Sequence, residues 1–396
     1  MKHDKDIKKV HPGRDGAVFI NSDRLGGYSF SPEHPFRPER VKMVHEMCER
    51  RQLLSGNGVR VEQVEEIEDG LLERFHTKEY IDLLREAGRC GEIGVEMLYH
   101  GLGTMENPIF MGVYDFAALS VTASVRGARI VAEEGVSAFN PCGGFHHAHR
   151  DRASGFCYVN DVVIAIEELL MLDARVAYLD VDAHHGDGVQ EAFYDDPGVM
   201  TLSIHESGKT LFPWGGFEKE SGGPGAEGYN INIPMLSDTD DEIFLFLFRS
   251  IILPALDAFG PDIVVLQAGT DTFATDPLTH LKMTNNGYID AIGSLHAAFP
   301  RILALGGGGY NMADVVRGWT LLWADLAGIQ LDSGYGGALG GVLMGDASID
   351  GSDLRDMQVY TTGPAKEELR KYSESLVARF EKEVQPLLKR SGATGR

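Results

Sequence analysis

Residues 175–187 read RVAYLDVDAHHGD. The first eight, 175–182, form a short apolar run with little polar alternation. That is the pattern of a strand buried on both faces rather than one facing water. The run closes on a cluster of ionisable groups: Asp180, Asp182, His184, His185 and Asp187. In an open parallel sheet, ligands sit in the crevice beyond the carboxyl ends of the strands. One stretch therefore predicts both the layering of the fold and the place of its chemistry.

Outward from this stretch, similar apolar runs recur at 16–20, 136–140, 199–205, 229–233, 262–267 and 301–305. Amphipathic stretches lie between them at 38–54, 111–134, 160–172, 241–259, 286–299 and 314–326, and 366–389 reads as a charged C-terminal helix. Strand and helix in alternation predict an α/β fold, a mostly parallel multi-stranded sheet with helices on both faces. No repeat and no Pro- or Ser-rich linker divides the chain, and the glycine-rich patches 215–228 and 334–345 read as long loops. The expectation is a single domain over 16–390, with an N-terminal tail (1–15) and a C-terminal tail (391–396).

The chain carries 36 Lys+Arg against 59 Asp+Glu, a net charge of −23. This argues against nucleic-acid binding, which needs a basic face. It is compatible with plain solubility and with a preference for basic partners such as lysine-rich peptides or polyamines. No run approaches the roughly 20 apolar residues of a membrane helix. The opening MKHDKDIKKVHPGRDG has no apolar core and is no secretory signal. Cys48, Cys90, Cys142 and Cys157 form no CxxC pair and read as free thiols in a reducing compartment. A cytoplasmic protein is expected.

Other strand runs also end in loaded segments. Asn140 leads into PCGGFHHAH, Gln267 into AGTDTFATDP and Leu305 into GGGGY. At period two, Asp180, Asp182 and His184 share a face, so Asp182 and His184 can bind one ion, with Asp271 the natural third ligand. Two carboxylates, one imidazole and an open position make a catalytic rather than a structural site. The oxygen-rich set suits zinc and admits iron(II). A lone DxH is an ordinary loop start; here it stands with a histidine pair upstream and an aspartate-bearing strand end downstream. His146 and His147 can supply the base for an attacking water and the acid for a leaving amine. Asp180 and Asp187 are free to hold their ring nitrogens. Tyr310, after four glycines that let backbone approach closely, can donate to a developing oxyanion. A phosphate-cradling loop would need a GK[ST] ending or a GxGxxG turn, and neither is present.

The segments HPFRPERV (34–41), TMENPIF (104–110), GGFHHAHRDRASGFCYVND (143–161), LDVDAHHGDGVQEAF (179–193), VMTLSIH (199–205), QAGTDTFATDPL (267–278) and LGGGGYN (305–311) resemble, in this order, those of the histone deacetylase superfamily. That superfamily also holds acetoin-utilization deacetylases and acetylpolyamine amidohydrolases. The likeness runs from about residue 16 to residue 330, and GLGTMENP with Leu278 after DP suggests the acetoin-utilization-like branch. The resemblance implies an arginase/deacetylase-like fold with its active site at the carboxyl ends of the strands. It implies zinc on Asp182, His184 and Asp271. His147 would be the main general base and acid, oriented by Asp187, and His146, paired with Asp180, would give electrostatic support. Tyr310 would polarise the acetyl carbonyl. Phe156 and Phe212 would wall a tunnel lined by Gly155, with Leu278 also touching substrate. Glu106 would grip the substrate backbone where many relatives have Asp, and Arg40 would sit at an acetate cavity. Structural potassium would bind around Asp180, Asp182 and His184 with Ser203, and a second monovalent ion near Phe193 and Tyr229.

The expected activity is zinc-dependent removal of acetyl groups from acetylated amines. N-ε-acetyl-lysine in proteins or peptides comes first, an acetylpolyamine or other small acetylated amine second. An apolar tunnel would bury about four CH₂ groups of such a stem at roughly 0.8 kcal/mol each, and a neutral acetylated amine can enter where an ammonium could not. A binuclear ureohydrolase would carry DAHxD and a downstream DxD; this chain has DAHHGD, one residue longer, and Asp271 lacks that partner. A non-catalytic acetyl-lysine reader would have lost the base or the tyrosine, yet His146, His147 and Tyr310 are all present. Oligomeric state is not legible.

Overall fold

The computed structural model describes residues 16–56, 58–91, 94–331 and 354–388. The expected tails (1–15 and 391–396) and the glycine patch 334–345 lie outside the described residues. Strands β1 Ala17–Asn21, β2 Val59–Gln63, β3 Ser137–Asn140, β4 Val176–Asp180, β5 Val199–Glu206, β6 Asn230–Met235, β7 Ile263–Gln267 and β8 Ile302–Leu305 form one sheet in the order β2-β1-β3-β8-β7-β4-β5-β6. Every pairing is parallel.

Strand side chains alternate between two buried cores. On β7, Val264 and Leu266 enter one core and Val265 the other. Helices cover both: α4 Val113–Glu134 and α5 Asp161–Met171 on the Val265 side, α1 Glu39–Arg50, α9 Asn285–Ala298 and α10 Met312–Leu326 on the Leu266 side. Each fully buried Leu or Val contributes about 1.5–3 kcal/mol over its exposed state, which is why these strands carry apolar residues on both faces. Among the described residues, no helix is long and apolar enough to cross a membrane.

The run expected over 175–182 stops being a strand at Asp180. Beyond it, the N–H groups of Asp182 and His184 turn inward and donate to Asp180 Oδ1 and Asp182 Oδ1, each at 3.0 Å. β2 was not anticipated. It is the edge strand, its residues are half-exposed or exposed, and the polar residues of VRVEQ break the continuous apolar pattern of the buried strands. The helix α2 Lys78–Cys90 also escaped notice.

Two helix caps fall next to the chemistry. The Asn160 side chain accepts from Val163 N–H to start α5, and Asn311 accepts from Ala313 N–H to start α10 directly after Tyr310. Each cap satisfies an orphan donor of its first turn and fixes where the preceding loop must end.

Candidate active site

The ends of β3, β8, β7 and β4, four neighbours in the sheet, deliver the loaded segments to one place. Ligand atoms of Asp182, His184 and Asp271 all lie within 4.8 Å of one another, and all three residues are buried. His184 Nδ1 stands 3.2 Å from Asp182 Oδ1 and 2.9 Å from Asp271 Oδ2. Backbone donors hold the carboxylates in place: Gly308 N–H to Asp182 Oδ2 at 2.6 Å, Ala183 N–H to Asp271 Oδ1 at 2.8 Å. At Gly308 a Cβ would meet Asp271 Oδ2 at 2.1 Å, so only glycine lets this loop lie against the carboxylates.

Two carboxylates buried around one imidazole call for a cation. Burial and the like charge at Asp182 push Asp271 upward. Against burial, the two carboxylates pull His184 up to about 10, so a proton on the ring stands in for a positive ion. The donor set, its convergence and its charge fit a divalent metal with a position left for substrate or water.

Beside this triad lie two histidine–carboxylate pairs. His146 Nδ1 is 2.9 Å from Asp180 Oδ2, and His147 Nδ1 is 2.8 Å from Asp187 Oδ1. With Nδ1–H donated outward, each ring keeps Nε2 for the site. Their rings are 4.0 Å apart and their surroundings drive them in opposite directions. Burial and then the neighbouring His146 lower His147 to about 4, against the pull of Asp187. For His146, burial opposes but is outweighed by the charges of Asp180 and Asp182, which raise it to about 9.

Tyr310 closes the opposite side. Its ring lies edge-on to His184, centroids 6.4 Å apart. Burial, then the charges of Asp271 and Asp182, push its hydroxyl well above the usual phenol range, so it remains a proton donor. Phe212 lies 5.0 Å from His147 and Phe156 lies 5.7 Å from Tyr310, centroid to centroid. Between them Gly155 adopts φ +51°, and a Cβ there would meet the His147 ring at 2.5 Å and Phe212 at 2.9 Å.

Arg40 is buried, and its guanidinium donates to the carbonyls of Gly307 at 2.5 Å and Gly309 at 2.9 Å, bracing the glycine loop from behind. Glu106 is exposed, and its carbonyl accepts from His34 Nε2–H at 3.1 Å. Leu278 is partly buried and anchors through its N–H to Asp276 Oδ1 at 2.9 Å. Ser203 pairs in register with Asp180 across β4 and β5, with Oγ 2.7 Å from His205 Nδ1. The carbonyl of Phe193 accepts from Asp196 N–H and that of Tyr229 from Thr201 N–H. Three of the four cysteines, Cys48, Cys142 and Cys157, are free and buried, and burial raises the thiol pKa of each.

A model described as the histone deacetylase domain matches residues 34–326. The chain belongs to the histone deacetylase family. It is 37% identical over 322 residues to the acetoin utilization protein AcuC of Bacillus subtilis, covering 79% of this chain and 83% of that protein. It is 36% identical over 305 residues to histone deacetylase B of Dictyostelium discoideum, covering 76% and 71%. Among solved structures it superposes on an HDAC homologue from Aquifex aeolicus with a TM-score of 0.81 at 30% identity, covering 91% of this chain and all of that one. An HDAC homologue complexed with SAHA gives 0.82 at 30% identity, covering 92% and 100%. This histone deacetylase family member is thus a deacetylase-type hydrolase by descent, with the family's arginase-like α/β fold.

Several residues of this deacetylase site escaped the sequence reading. Tyr178 donates to Asp180 Oδ2 at 2.6 Å from within β4. Gln267 Nε2 donates to the Gly144 carbonyl at 2.8 Å, tying the histidine segment to β7. Asp276 accepts the N–H of Tyr310, and His149 sits against Asp187. Two signals were available: His149 repeats the period-two spacing within HHAH, and Asp276 stands before proline in the Asp271 segment.

Proposed function

We propose that this chain hydrolyses N-acetyl amides, with N-ε-acetyl-lysine in proteins or peptides as first substrate and acetate as product. The observation that carries the reading is the buried Asp182–His184–Asp271 triad flanked by two carboxylate-anchored histidines and faced by Tyr310. Asp182, His184 and Asp271 would hold zinc, or iron(II) in the cell; when bound, such an ion supplies Lewis acidity to the amide carbonyl and to water.

The chain's own side chains do the rest. His147 takes the proton of the attacking water at Nε2 while Asp187 fixes its tautomer through Nδ1. His146, held by Asp180, adds positive charge beside it. The Tyr310 hydroxyl donates to the carbonyl oxygen as charge develops there. A protonated histidine then gives its proton to the leaving amine. Phe156, Phe212 and Gly155 guide a neutral alkyl stem and keep it dry, with Leu278 and Glu106 at the mouth. Arg40 is assigned to the inner side, where acetate would depart. Structural potassium near Asp180, Asp182, His184 and Ser203, and a second monovalent ion near Phe193 and Tyr229, belong to the same reading. So do a single catalytic domain over 16–390 and a cytoplasmic setting, the latter supported by the buried free thiols.

The test is acetate release from an acetyl-lysine peptide and an acetylated polyamine, side by side, with metal-free and zinc-reconstituted protein. Zinc-dependent turnover of the peptide is the expected result. Turnover of the polyamine alone moves the substrate class and keeps the chemistry. No turnover of either with zinc bound overturns the reading.

A further inference from the structure

Asp187 is the first residue of the helix α6 Asp187–Phe193, and its two oxygens have different partners. Oδ1 accepts from His147 Nδ1–H at 2.8 Å and from Gly188 N–H at 3.0 Å. Oδ2 stands 3.5 Å from His149 Nε2. On the far side of that ring, His149 Nδ1 lies 2.5 Å from Oε2 of Glu191, one helical turn along α6 from Asp187, where i and i+4 side chains share a face. The His149 side chain is 9% exposed and that of Glu191 60%. The series His147, Asp187, His149, Glu191 therefore runs from the buried site to solvent through two hydrogen bonds and, between Asp187 and His149, a 3.5 Å ion pair.

The backbone around this series is fixed from several sides. Asn160 Nδ2 donates to the carbonyls of His146 and Ala148, His149 N–H donates to Arg152 O, and Gly188 N–H donates to His146 O. Both ring nitrogens of His149 face carboxylates, which accept and do not donate, so only the imidazolium satisfies both. Burial and the nearby Arg152 disfavour that charge, but Asp187 and Glu191 outweigh them and the pKa is raised.

We propose that His149 is a positioning residue for the acid–base pair: by holding Oδ2 of Asp187, with Glu191 behind it, His149 keeps Oδ1 on His147 and so fixes the tautomer and aim of that ring. The proposal rests on the role of the His147–Asp187 pair given above. A carboxylate gripped on one oxygen only can rotate and share its hydrogen bond with water. One gripped on both is held far more firmly, and the outer partners of metal-ligating histidines, which hold a ring in the same way, typically alter activity about 10- to 100-fold.

The test is a double-mutant cycle in zinc-loaded protein with an acetyl-lysine peptide: wild type, D187N, H149Q and D187N/H149Q. The expected result is a kcat about 10-fold lower in H149Q, a KM within about 2-fold of wild type, and a double variant no slower than D187N alone. ¹⁵N NMR of histidine-labelled, metal-free protein should show His147 as a single Nδ1–H tautomer in wild type and as a mixture in H149Q. Wild-type kcat in H149Q, or losses that multiply in the double variant, overturn the proposal. A D187N protein that keeps wild-type kcat overturns the acid–base reading itself and this inference with it. Should H149Q fail to fold, E191Q at its exposed position reads the same coupling: about a 3-fold loss in wild type and none in D187N, with equal losses in both backgrounds overturning the idea.

Discussion

The backbone N–H of Tyr310 donates to Oδ2 of Asp276 at 2.8 Å. The other oxygen of that carboxylate accepts from Leu278 N–H, so one buried side chain ties the tyrosine loop to the segment that carries Leu278. Replacing Asp276 by Ala leaves two backbone donors without their partner and frees Tyr310 to drift. The expected outcome is a kcat about 10- to 100-fold lower with zinc content unchanged. Steady-state kinetics beside metal analysis checks it; unaltered kcat would show that the tyrosine is placed by other means.

Tyr310→Phe removes the hydroxyl and nothing else. Loss of one oxyanion donor costs about 3–4 kcal/mol, or roughly 10²- to 10³-fold in kcat. Zinc affinity should not change, because Asp182, His184 and Asp271 already supply the proposed ligands and the tyrosine ring approaches His184 edge-on. Turnover retained in the variant would remove Tyr310 from the proposed chemistry.

Gly155→Ala places a methyl group against the His147 ring and Phe212, both under 3 Å away, on a backbone at φ +51°. The slot must narrow or the histidine must move. kcat/KM should fall at least about 100-fold, and short acetylated amines should lose no less than peptides, because the obstruction lies at the base of the slot. Equal activity in wild type and variant would mean that substrate does not pass this glycine.

Zinc binding should stabilise the fold, since the triad gathers two buried carboxylates that repel each other without it. At 100-fold excess over Kd the gain is about 2.7 kcal/mol, seen as a rise in Tm on adding zinc to chelator-treated protein. Asp271→Ala should abolish that rise. A Tm indifferent to zinc in the wild type would argue against a metal at this position.

His76 gives a pH dependence that does not involve the Asp182, His184 and Asp271 cluster. Its Nε2 accepts from Asn160 N–H at 3.0 Å, and burial lowers its pKa to about 4, against about 6.5 for an unhindered histidine. Between these values the unfolded chain binds a proton that the folded one refuses. The contribution is full above about pH 6.5 and is lost as pH falls toward 4, by on the order of 3 kcal/mol in all. Urea midpoints at pH 7 and pH 5 should therefore separate further for wild type than for His76→Gln. Identical pH slopes would refute the assignment.

The strands that build the site were legible because burial on both faces leaves nothing for polar residues to do: IVVLQ and ILAL admit one reading. VRVEQ, at the sheet edge, looks like any half-wet segment. The Asp182, His184 and Asp271 cluster and both histidine–carboxylate pairs were visible because chemistry forces rare residues into short spacings. Asp276 and Tyr178 were not, since a side chain that holds a backbone N–H or another carboxylate leaves no spacing rule behind. His149 lay in plain view inside HHAH; what the sequence hid was Glu191, whose turn of helix had first to be placed against it.

The strand order also bears on how the enzyme is made. Residues 146–187 already contain both histidine–carboxylate pairs together with Asp182 and His184, yet β3 and β4 are not neighbours; β8 and β7 lie between them. During synthesis, the first half of the chain leaves the ribosome with a gap in its sheet that only the stretch near 263–305 can fill. Asp271 and Tyr310 follow directly after those inserted strands. A nascent or truncated chain therefore carries both histidine–carboxylate pairs without Asp271 and Tyr310, and the cluster is complete only once β7 and β8 are in the sheet.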